Sequence, residues 1–588
     1  MAVSSTITVR ADATLNVSNT TIRELGASPE TLIVNGNHDT LIASTGLDTL
    51  IANGTFNVLR AGSGADVLVA NGDNSALIGG SGANQQLTAT GANAIITGGT
   101  GANQQLTATG DNSIVTGGSG AGQQLTINGN SGTIVAGTGA NQVLNLNGND
   151  GSATGRGSGD VITVNGDGDT VTAGNGGTQT ITVFGNDGTV TGSASAVNSI
   201  TVFGDNVAIG VATPTYGGGC DSGSSYGRSD CDSQSSSGRD CGSDNSHQPS
   251  YYGRDDGGTC DSRSFSYGSC DSRGYDFRWA GDSRSSDDRD SDRSSGYCGD
   301  HRSSDDCGDQ SSHDGSCSWF YRTELDVCYE QALSQPHNVF QINGNNDAVT
   351  GGNGTNEITV NGNNDLLQAG QSGVQVLTAN GNFDTLTGGG RYANLTANGN
   401  FDTLTAGDHG LQELTVNGNR DTLTGGAGFN VLTSNGWFDT MNAGSGFNVM
   451  AGVGMHDVYN VGLGDGDTRI NNGDHDNSTG PANELDFGPG ITDTQLWFQQ
   501  AGNDLRIDVM GTDQDVTMAG WFSDPVAQLQ TITTSDGFSL DNSQVSQLVQ
   551  AMAAFSGANP GFDPTAQGNT QVTDAGVQTT IAASWQHA

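Results

Sequence analysis

Residues 425–460 decide the fold. In blocks of nine they read GGAGFNVLT, SNGWFDTMN, AGSGFNVMA and GVGMHDVYN. Position eight of each block is apolar, position six of every second block is Asp, and the pair of blocks recurs upstream every 18 or 19 residues. A fixed short period indicates a repeat architecture, in which each short strand buries its apolar side chain only against neighbouring copies. The sequence therefore predicts an all-β fold, a parallel β-roll or β-solenoid of 18–19-residue coils.

The repeat occupies two stretches of the chain, and other kinds of sequence surround them. We predict an N-terminal cap over residues 1–30, a first repeat array over 31–211 and a second array over 337–482. Residues 483–543 lose the period but alternate like strands, which predicts a small β domain that caps the open edge of the stack. Residues 544–588 contain an amphipathic helical pattern.

Asp recurs at one position of the second array without a gap. Equivalent carboxylates on successive coils would lie about 4.8 Å apart, where like charges repel by about 1 kcal/mol even in a water-like dielectric. Either the pKa values rise or a cation lies between the coils, and carboxylates with glycine-turn carbonyls form an all-oxygen ligand set that suits calcium. Alternatively, each Asp caps its turn and binds nothing. The row consists of Asp347, Asp365, Asp384, Asp402, Asp421, Asp439 and Asp457.

The blocks resemble the nonapeptide GGxGxDxUx of RTX (haemolysin-type) calcium-binding proteins, which form a parallel β-roll. AGSGADVLV at 61–69 and GRGSGDVIT at 155–163 are close matches. By position, the resemblance implies calcium-binding carboxylates at Asp66, at Asp160 and in the row above, and we add Asp48 because it is adjacent to Asp66 in the repeat. In the acidic loop that ends the second array, Asp465 and Asp467 are candidates for a further cation site.

The sequence departs from the RTX pattern on the GG side of the coil, where the Asp is usually replaced. We therefore expect fewer calcium ions than repeats, along one edge of the roll. The replacing residues are read as Asn84, Asn103, Asn141, Asn356, Asn430 and Asn448.

The C-terminal part carries two further resemblances. The run that begins FGPGIT at Phe487 and ends GWF at Phe522 resembles the domain that follows the repeats in haemolysin-type proteins. Residues 544–588 are similar to the uncleaved C-terminal signal of type I secretion substrates, although an ordinary C-terminal helix is the alternative. The N-terminus lacks the pattern of a conventional signal peptide. The resemblance thus implies export by a type I secretion apparatus, to the outside or the surface of a Gram-negative bacterium.

Residues 212–336 break the repeat with a low-complexity insert rich in Ser, Asp, Gly and Arg, which has too few apolar residues to fold alone. It contains every cysteine of the chain, with no CxxC pair, so disulfides, including disulfides between chains, are expected in an oxidising compartment. The alternative is a linker whose cysteines are incidental. The candidates are Cys220, Cys231, Cys241, Cys260, Cys270, Cys298, Cys307, Cys317 and Cys328.

Charge and composition exclude several function classes. A net charge of −44 argues against nucleic acid and anionic membrane as partners, and no apolar run is long enough to insert into a membrane. No catalytic constellation is present, and no segment could hold an enzyme domain, so we expect no enzyme.

Three function classes remain open. The first is a calcium-binding, self-associating structural protein of an extracellular matrix, surface layer or filament. The second is an adhesin or a module that binds carbohydrate or ice, and the third, less favoured, is an RTX toxin or enzyme. Thr-x-Thr pairs bear on an ice-binding face: Thr170/Thr172, Thr189/Thr191, Thr385/Thr387, Thr403/Thr405 and Thr422/Thr424.

Overall fold

The fold is described by a computed structural model over residues 5–26, 28–212, 337–473 and 483–587. These residues belong to one compact unit, an all-β solenoid of about 18 parallel coils. At about 4.8 Å per coil the stack is roughly 85 Å long. The predicted fold class is confirmed. The nine cysteines, and with them every predicted disulfide, lie outside the described residues.

Each coil contributes one strand to each of two sheets. The short-strand sheet consists of Ser5–Val9, Thr20–Glu24, Thr40–Ile42, Val58–Arg60, Ala76–Ile78, Ile95–Thr97, Ile114–Thr116, Thr133–Val135, Ser152–Thr154, Thr170–Thr172, Thr189–Gly192, Ala208–Val211, Ala348–Thr350, Leu366–Gln368, Thr385–Thr387, Thr403–Thr405, Thr422–Thr424, Thr440–Asn442, Val458–Val461, Glu484–Phe487, Thr531–Thr533, Phe538–Asp541 and Trp585–His587. The long-strand sheet consists of Ala13–Leu15, Thr31–Asn35, Thr49–Asn53, Val67–Ala70, Gln86–Ala89, Gln105–Ala108, Gln124–Asn128, Val143–Asn147, Val161–Asn165, Thr178–Phe184, Val197–Phe203, Asn338–Asn343, Asn356–Asn361, Val374–Asn380, Tyr392–Ala397, Leu411–Val416, Phe429–Ser434, Phe447–Gly452, Thr468–Asn472, Leu496–Ala501, Asp504–Val509 and Asp515–Met518.

The two repeat arrays of the sequence are one continuous stack. Val197–Phe203 pairs in parallel with Asn338–Asn343, and Ala208–Val211 pairs with Ala348–Thr350. The sequence between 212 and 337 is therefore an insertion between two consecutive coils, and the repeat resumes after it in the same register.

The core is thin because each coil buries only a few side chains. The short-strand sheet contributes one central apolar residue per coil, such as Leu386 and Leu404, and the long-strand sheet contributes two, such as Leu395 and Ala397, all with 0% exposure. Stacking in register joins these side chains into one core cluster that runs along the solenoid.

The NG turns carry their positive φ mainly at a residue other than the glycine. In most of these turns the residue with φ near +60° is the one before the Asp position, such as Asn346 and Asn364. The glycine is required for close approach instead, because a Cβ on Gly362 would lie 1.4 Å from the carbonyl oxygen of Gly344 on the preceding coil. The Asn residues of these turns form a ladder, in which Nδ2 of one Asn donates to Oδ1 of the one before, as from Asn398 to Asn380 at 2.7 Å.

The C-terminal end of the stack is closed by antiparallel strands and helices. Leu496–Ala501, Asp504–Val509 and Asp515–Met518 form a meander on the long-strand sheet. Two 3₁₀ helices, Asp493–Gln495 and Pro525–Ala527, and two α-helices, α1 (Asn542–Ala558) and α2 (Ala575–Ser584), complete this end.

The tail that resembles a secretion signal is a folded part of this cap. Leu548 and Met552 of α1 and Ile581 of α2 are at most 2% exposed. Trp585–His587 then pairs with Phe538–Asp541 in the short-strand sheet. Removing residues 544–588 would therefore uncover the core of the cap.

Candidate metal site along the solenoid

The seven Asp residues from Asp347 to Asp457, called the acidic row below, lie on successive coils in one line. Each is at most 2% exposed. The backbone N–H of each Asp from Asp347 to Asp439 donates to Oδ1 of the next Asp along the row, at 2.8–3.0 Å, and that of Asp457 donates to Oδ1 of Asn483 at 2.9 Å. The first oxygen of every carboxylate thus has a structural role, which is the turn-capping ladder considered above.

The second carboxylate oxygen has no such partner in most of the row. Oδ2 is buried and accepts no hydrogen bond in six of the seven residues, whereas Oδ2 of Asp439 accepts one from Ser434 Oγ at 2.5 Å. The six are Asp347, Asp365, Asp384, Asp402, Asp421 and Asp457. A buried acceptor without a donor costs about 1–3 kcal/mol, and more when it is charged.

Asn residues at the same position of other coils show what this oxygen faces. Nδ2 of Asn57 donates to the carbonyl oxygens of Gly36 and Gly54, at 2.9 and 3.0 Å. Nδ2 of Asn483, which follows Asp457 in the row, donates to the carbonyl oxygen of Gly454 at 3.0 Å. In the acidic row an oxygen takes the place of that NH₂ group. Oxygen then faces oxygen, and a proton or a cation between them would satisfy both.

Burial raises the pKa values of the acidic row despite the opposing backbone N–H bonds. The pKa rises to about 6 for Asp347 and Asp402, and to about 7 for Asp365, Asp421 and Asp457. The charge of a neighbouring Asp adds to the rise, as Asp384 does for Asp365. Near neutral pH the row therefore carries exchangeable protons, for which a cation can compete.

The donor chemistry of the acidic row fits calcium, which takes carboxylate and backbone carbonyl oxygens. Within the described ranges, no three His, Cys, Asp or Glu side chains come together as a metal centre. Ligation would thus combine Asp oxygens from the row with the glycine carbonyls that Asn57 and Asn483 contact in their own coils.

The opposite edge of the coil carries a second line, called the mixed row, in which amides predominate. Oε1 of Gln85 accepts from the N–H of Gly80 at 2.7 Å, and its Nε2 donates to the carbonyl oxygens of Gly62 and Gly64 at 3.1 and 2.7 Å. An amide thus supplies both an acceptor and a donor, and no cation is needed. The row includes Glu30, Asp48, Asp66, Gln85, Gln104, Gln123, Gln142, Asp160, Gln179, Asn198, Asn338, Asn356, Gln375, Gln412, Asn430 and Asn448.

Sequence reasoning placed part of the mixed row one residue too early. Asn356, Asn430 and Asn448 lie in the row as expected, but Asn84, Asn103 and Asn141 do not. Those three have φ of +56 to +60° in the preceding turn, and Gln85, Gln104 and Gln142 follow them in the row. The extra residue of a 19-residue coil lengthens this turn, so a nine-residue template misaligns there. The Asn-Gln pair that these three coils share is the signal that could have revealed it.

Two of the predicted calcium ligands in the mixed row already have donors for both oxygens. Asp66 accepts from the N–H groups of Asp48 and Gly62, at 3.0 and 2.6 Å. Asp160 accepts from the N–H of Gln142 at 3.1 Å and from that of Gly157 at 2.8 Å. Hydrogen bonds therefore account for these two carboxylates, whereas Oδ1 of Asp48 is buried without a partner.

Asp465 and Asp467, the further candidate pair, engage different groups. Oδ2 of Asp465 accepts from the N–H of Gly462 at 2.6 Å, and Oδ1 of Asp467 accepts from the N–H of Asp515 at 3.3 Å. Arg506 forms an ion pair with Asp515 at 3.1 Å, so the positive charge beside Asp467 is supplied by an arginine side chain. Asp474 and Asp476 of the same loop lie outside the described residues.

An exposed line of rings, which sequence reasoning did not single out, follows the turn beside the acidic row. This aromatic edge consists of Phe383, Phe401, Arg420, Phe438 and His456, with φ between +63 and +65°. Phe383 stacks on Phe401 at 5.0 Å and Phe438 on His456 at 4.8 Å, while Arg420 lies 5.7 Å from the ring centres of both neighbours. Bulky residues rarely adopt this backbone conformation, and neighbouring coils have Asn there.

No family model matches the chain. No helix among the described residues is both long and apolar enough to cross a membrane.

Proposed function

We propose that the protein is a secreted, non-catalytic structural rod that takes up calcium along its acidic row. One observation carries the proposal: six buried Asp oxygens occupy the place where Asn residues in the same row put a donor. A bridging cation would supply the missing positive charge. The RTX-like repeats and the oxygen-only donor set make calcium the cation of choice.

Calcium would then link folding to location. At low cytosolic calcium, the carboxylates of the acidic row must either keep a proton or destabilise the folded rod. This favours an extended chain during export. At the higher calcium concentration outside the cell, binding to the folded rod adds to its stability. The RTX-like C-terminal run and tail support export by a type I apparatus of a Gram-negative bacterium. Residues 544–588 would act as a signal before they fold into the cap.

The rod is suited to matrix, surface-layer or filament assembly because it is long and repetitive and its coils stack in register. The cysteine-rich insert leaves the stack between two coils, so it would join rods covalently outside the cell while both halves of the solenoid keep their stacking. Self-association and disulfides between chains are therefore part of the proposal.

Electron microscopy of the secreted protein, with and without calcium and reductant, tests this proposal. We expect ordered assemblies with calcium, rods that separate when calcium is chelated, and covalent oligomers on non-reducing gels that collapse with reductant. Monomers under every condition would contradict the structural role. Absence from the medium of a Gram-negative host that carries a type I apparatus would remove only the export part.

The aromatic edge favours a second function, adhesion to a neutral polysaccharide. Phe383, Phe401 and Phe438 are 44–55% exposed, and their rings repeat with the coil, as the flat faces of a sugar chain repeat along its length. Asn382 and Asn400, two residues before Asp384 and Asp402, add a polar ladder in the same turns, with Nδ2 of Asn400 donating to Oδ1 of Asn382 at 2.9 Å. The chain's net charge disfavours an anionic polymer.

Replacing Phe383, Phe401 and Phe438 with Asn should weaken binding to a neutral polysaccharide and leave the fold intact, since Asn already occupies this turn in neighbouring coils. Affinity electrophoresis through gels that contain a soluble neutral glucan measures the effect; at about 1 kcal/mol per stacked ring, we expect at least tenfold weaker binding. Phe184→Asn with Phe203→Asn removes another exposed stacked pair and is the control. Equal retardation of the triple variant and the control would exclude the aromatic edge as the binding surface.

A further inference from the structure

Three buried carboxylates belong to the first coils, at the N-terminal end of the mixed row and far along the chain from the acidic row. Glu24 ends the strand Thr20–Glu24. Glu30 occupies the row position one coil before Asp48, since its carbonyl oxygen accepts from Thr49 N–H at 2.8 Å as that of Asp48 accepts from Val67 N–H at 2.8 Å. Neither glutamate belongs to a nonapeptide of the RTX type.

These carboxylates are buried and short of donors. Glu24 is 2% exposed and neither of its oxygens has a hydrogen-bond partner; Glu30 is 6% exposed, and its Oε2 has none. Asp48 is fully buried, and its Oδ2 accepts from Ser44 N–H and Oγ at 2.6 and 2.7 Å, but its Oδ1 has no partner. The pKa of Glu24 rises to about 8, through burial first and then through the nearby carboxylates of Asp48 and Glu30.

The amide coils further along the row supply a direct comparison. A Cβ on Gly82 would lie 1.8 Å from the carbonyl oxygen of Gly64 and 2.9 Å from Nε2 of Gln85, which donates to that carbonyl. A Cβ on the equivalent Gly46 would lie 2.6 Å from the carbonyl oxygen of Ser28 and 2.9 Å from Oδ1 of Asp48. At the N-terminal end, a carboxylate oxygen thus faces a carbonyl where the amide coils place a donor.

We propose that Glu24, Asp48 and the Ser28 carbonyl form a separate binding site for a divalent hard cation such as calcium, with Glu30 beside it. Two carboxylates and a backbone carbonyl are ligands that calcium takes, and the cation supplies the charge that an amide supplies in the next coils. The site would pin the first coils of the solenoid, at the end where stacking neighbours are fewest. It stands independently of the acidic row.

Hydrogen exchange on the full-length, chelator-treated protein, with calcium ions alone as the probe, tests this site. In the wild type, calcium should slow amide exchange in peptides from residues 20–50 by at least about tenfold. Glu24→Gln should abolish that effect and lower the number of calcium ions bound per chain by one. Peptides from residues 347–460 should respond as in the wild type. Glu357→Gln, which removes a half-exposed surface carboxylate, should change nothing.

Asp48→Asn keeps the test decisive if Glu24→Gln does not fold. Asn430, in the same row, shows that an Asn here satisfies itself by donating to the carbonyl oxygens of Gly426 and Gly428, at 2.9 and 3.3 Å. Asp48→Asn should therefore fold and lose the calcium response of residues 20–50. A calcium-free end that exchanges as slowly as the calcium-treated one, or an undiminished response in Asp48→Asn, would overturn the site while leaving the acidic row untouched.

Discussion

Replacing Asp384, Asp402 and Asp421 with Asn should yield a rod that melts at a higher temperature in chelator than the wild type and no longer gains from calcium over these coils. Each substitution puts an NH₂ donor in place of a buried oxygen that has no partner, as Asn57 does naturally. At about 1–3 kcal/mol for each unpaired buried group, the three changes should together stabilise the calcium-free protein by at least about 3 kcal/mol.

Thermal unfolding followed by circular dichroism, in chelator and in calcium, measures this effect. Asp439→Asn is the matched control, because Oδ2 of Asp439 already accepts from Ser434 Oγ, and this change should have little effect in chelator. A triple variant that melts lower than the wild type in chelator, or that keeps the full calcium response, would contradict the assignment of Oδ2 as the cation-seeking atom.

Without calcium, the stability of the wild type should fall as the pH rises from about 4 to about 7. The pKa values of the acidic row rise on folding from 3.8 to about 6 or about 7, because burial disfavours the charged form. The folded rod therefore binds more protons than the unfolded chain over this range. The stability that these protons contribute is complete below the unfolded pKa and is lost as the pH passes the folded pKa values. Each carboxyl loses about 1.4 kcal/mol for every pH unit between its unfolded and its folded pKa.

Melting temperatures in chelator across this pH range measure the loss, and calcium should remove most of it because the cation replaces the protons. The triple Asn variant is the control, since fewer carboxyls remain to titrate. If the stability of the wild type is constant or rises over this range, the carboxylates of the acidic row are ionised in the folded state without a bound proton or calcium ion.

The period of the repeat was sufficient to predict the solenoid, because position eight must be buried in every block and parallel stacking is the arrangement that buries it. The same reasoning found the acidic row. Continuity across the insert was not predictable, since no local pattern reports that Phe203 and Asn343 are paired neighbours in adjacent coils.

The partners of individual carboxylate oxygens could not be predicted from the sequence. The role of Oδ2 emerges only from Asn57 and Asn483 in the same row, and the mixed row was misaligned by the extra residue of the 19-residue coils. Glu24 carries no repeat signature, so only the structure shows it as a buried carboxylate near Asp48, whereas Glu30 is followed by the same Thr-Leu-Ile as Asp48. The fold of residues 544–588 into the cap depends on contacts with Phe498 and Phe538, distant in sequence from Trp585 and His587.

Calorimetric titration of the full-length, chelator-treated protein with calcium, at about pH 7 and in two buffers of different ionisation heat, tests the central claim most directly. If the acidic row holds protons that calcium displaces, the two buffers will give different heats, protons will be released as calcium binds, and the triple Asn variant will bind fewer ions and release fewer protons. A fully folded protein that takes up no calcium at millimolar concentration, with no heat in either buffer, would mean that the acidic row is a hydrogen-bonded turn ladder held by protons alone.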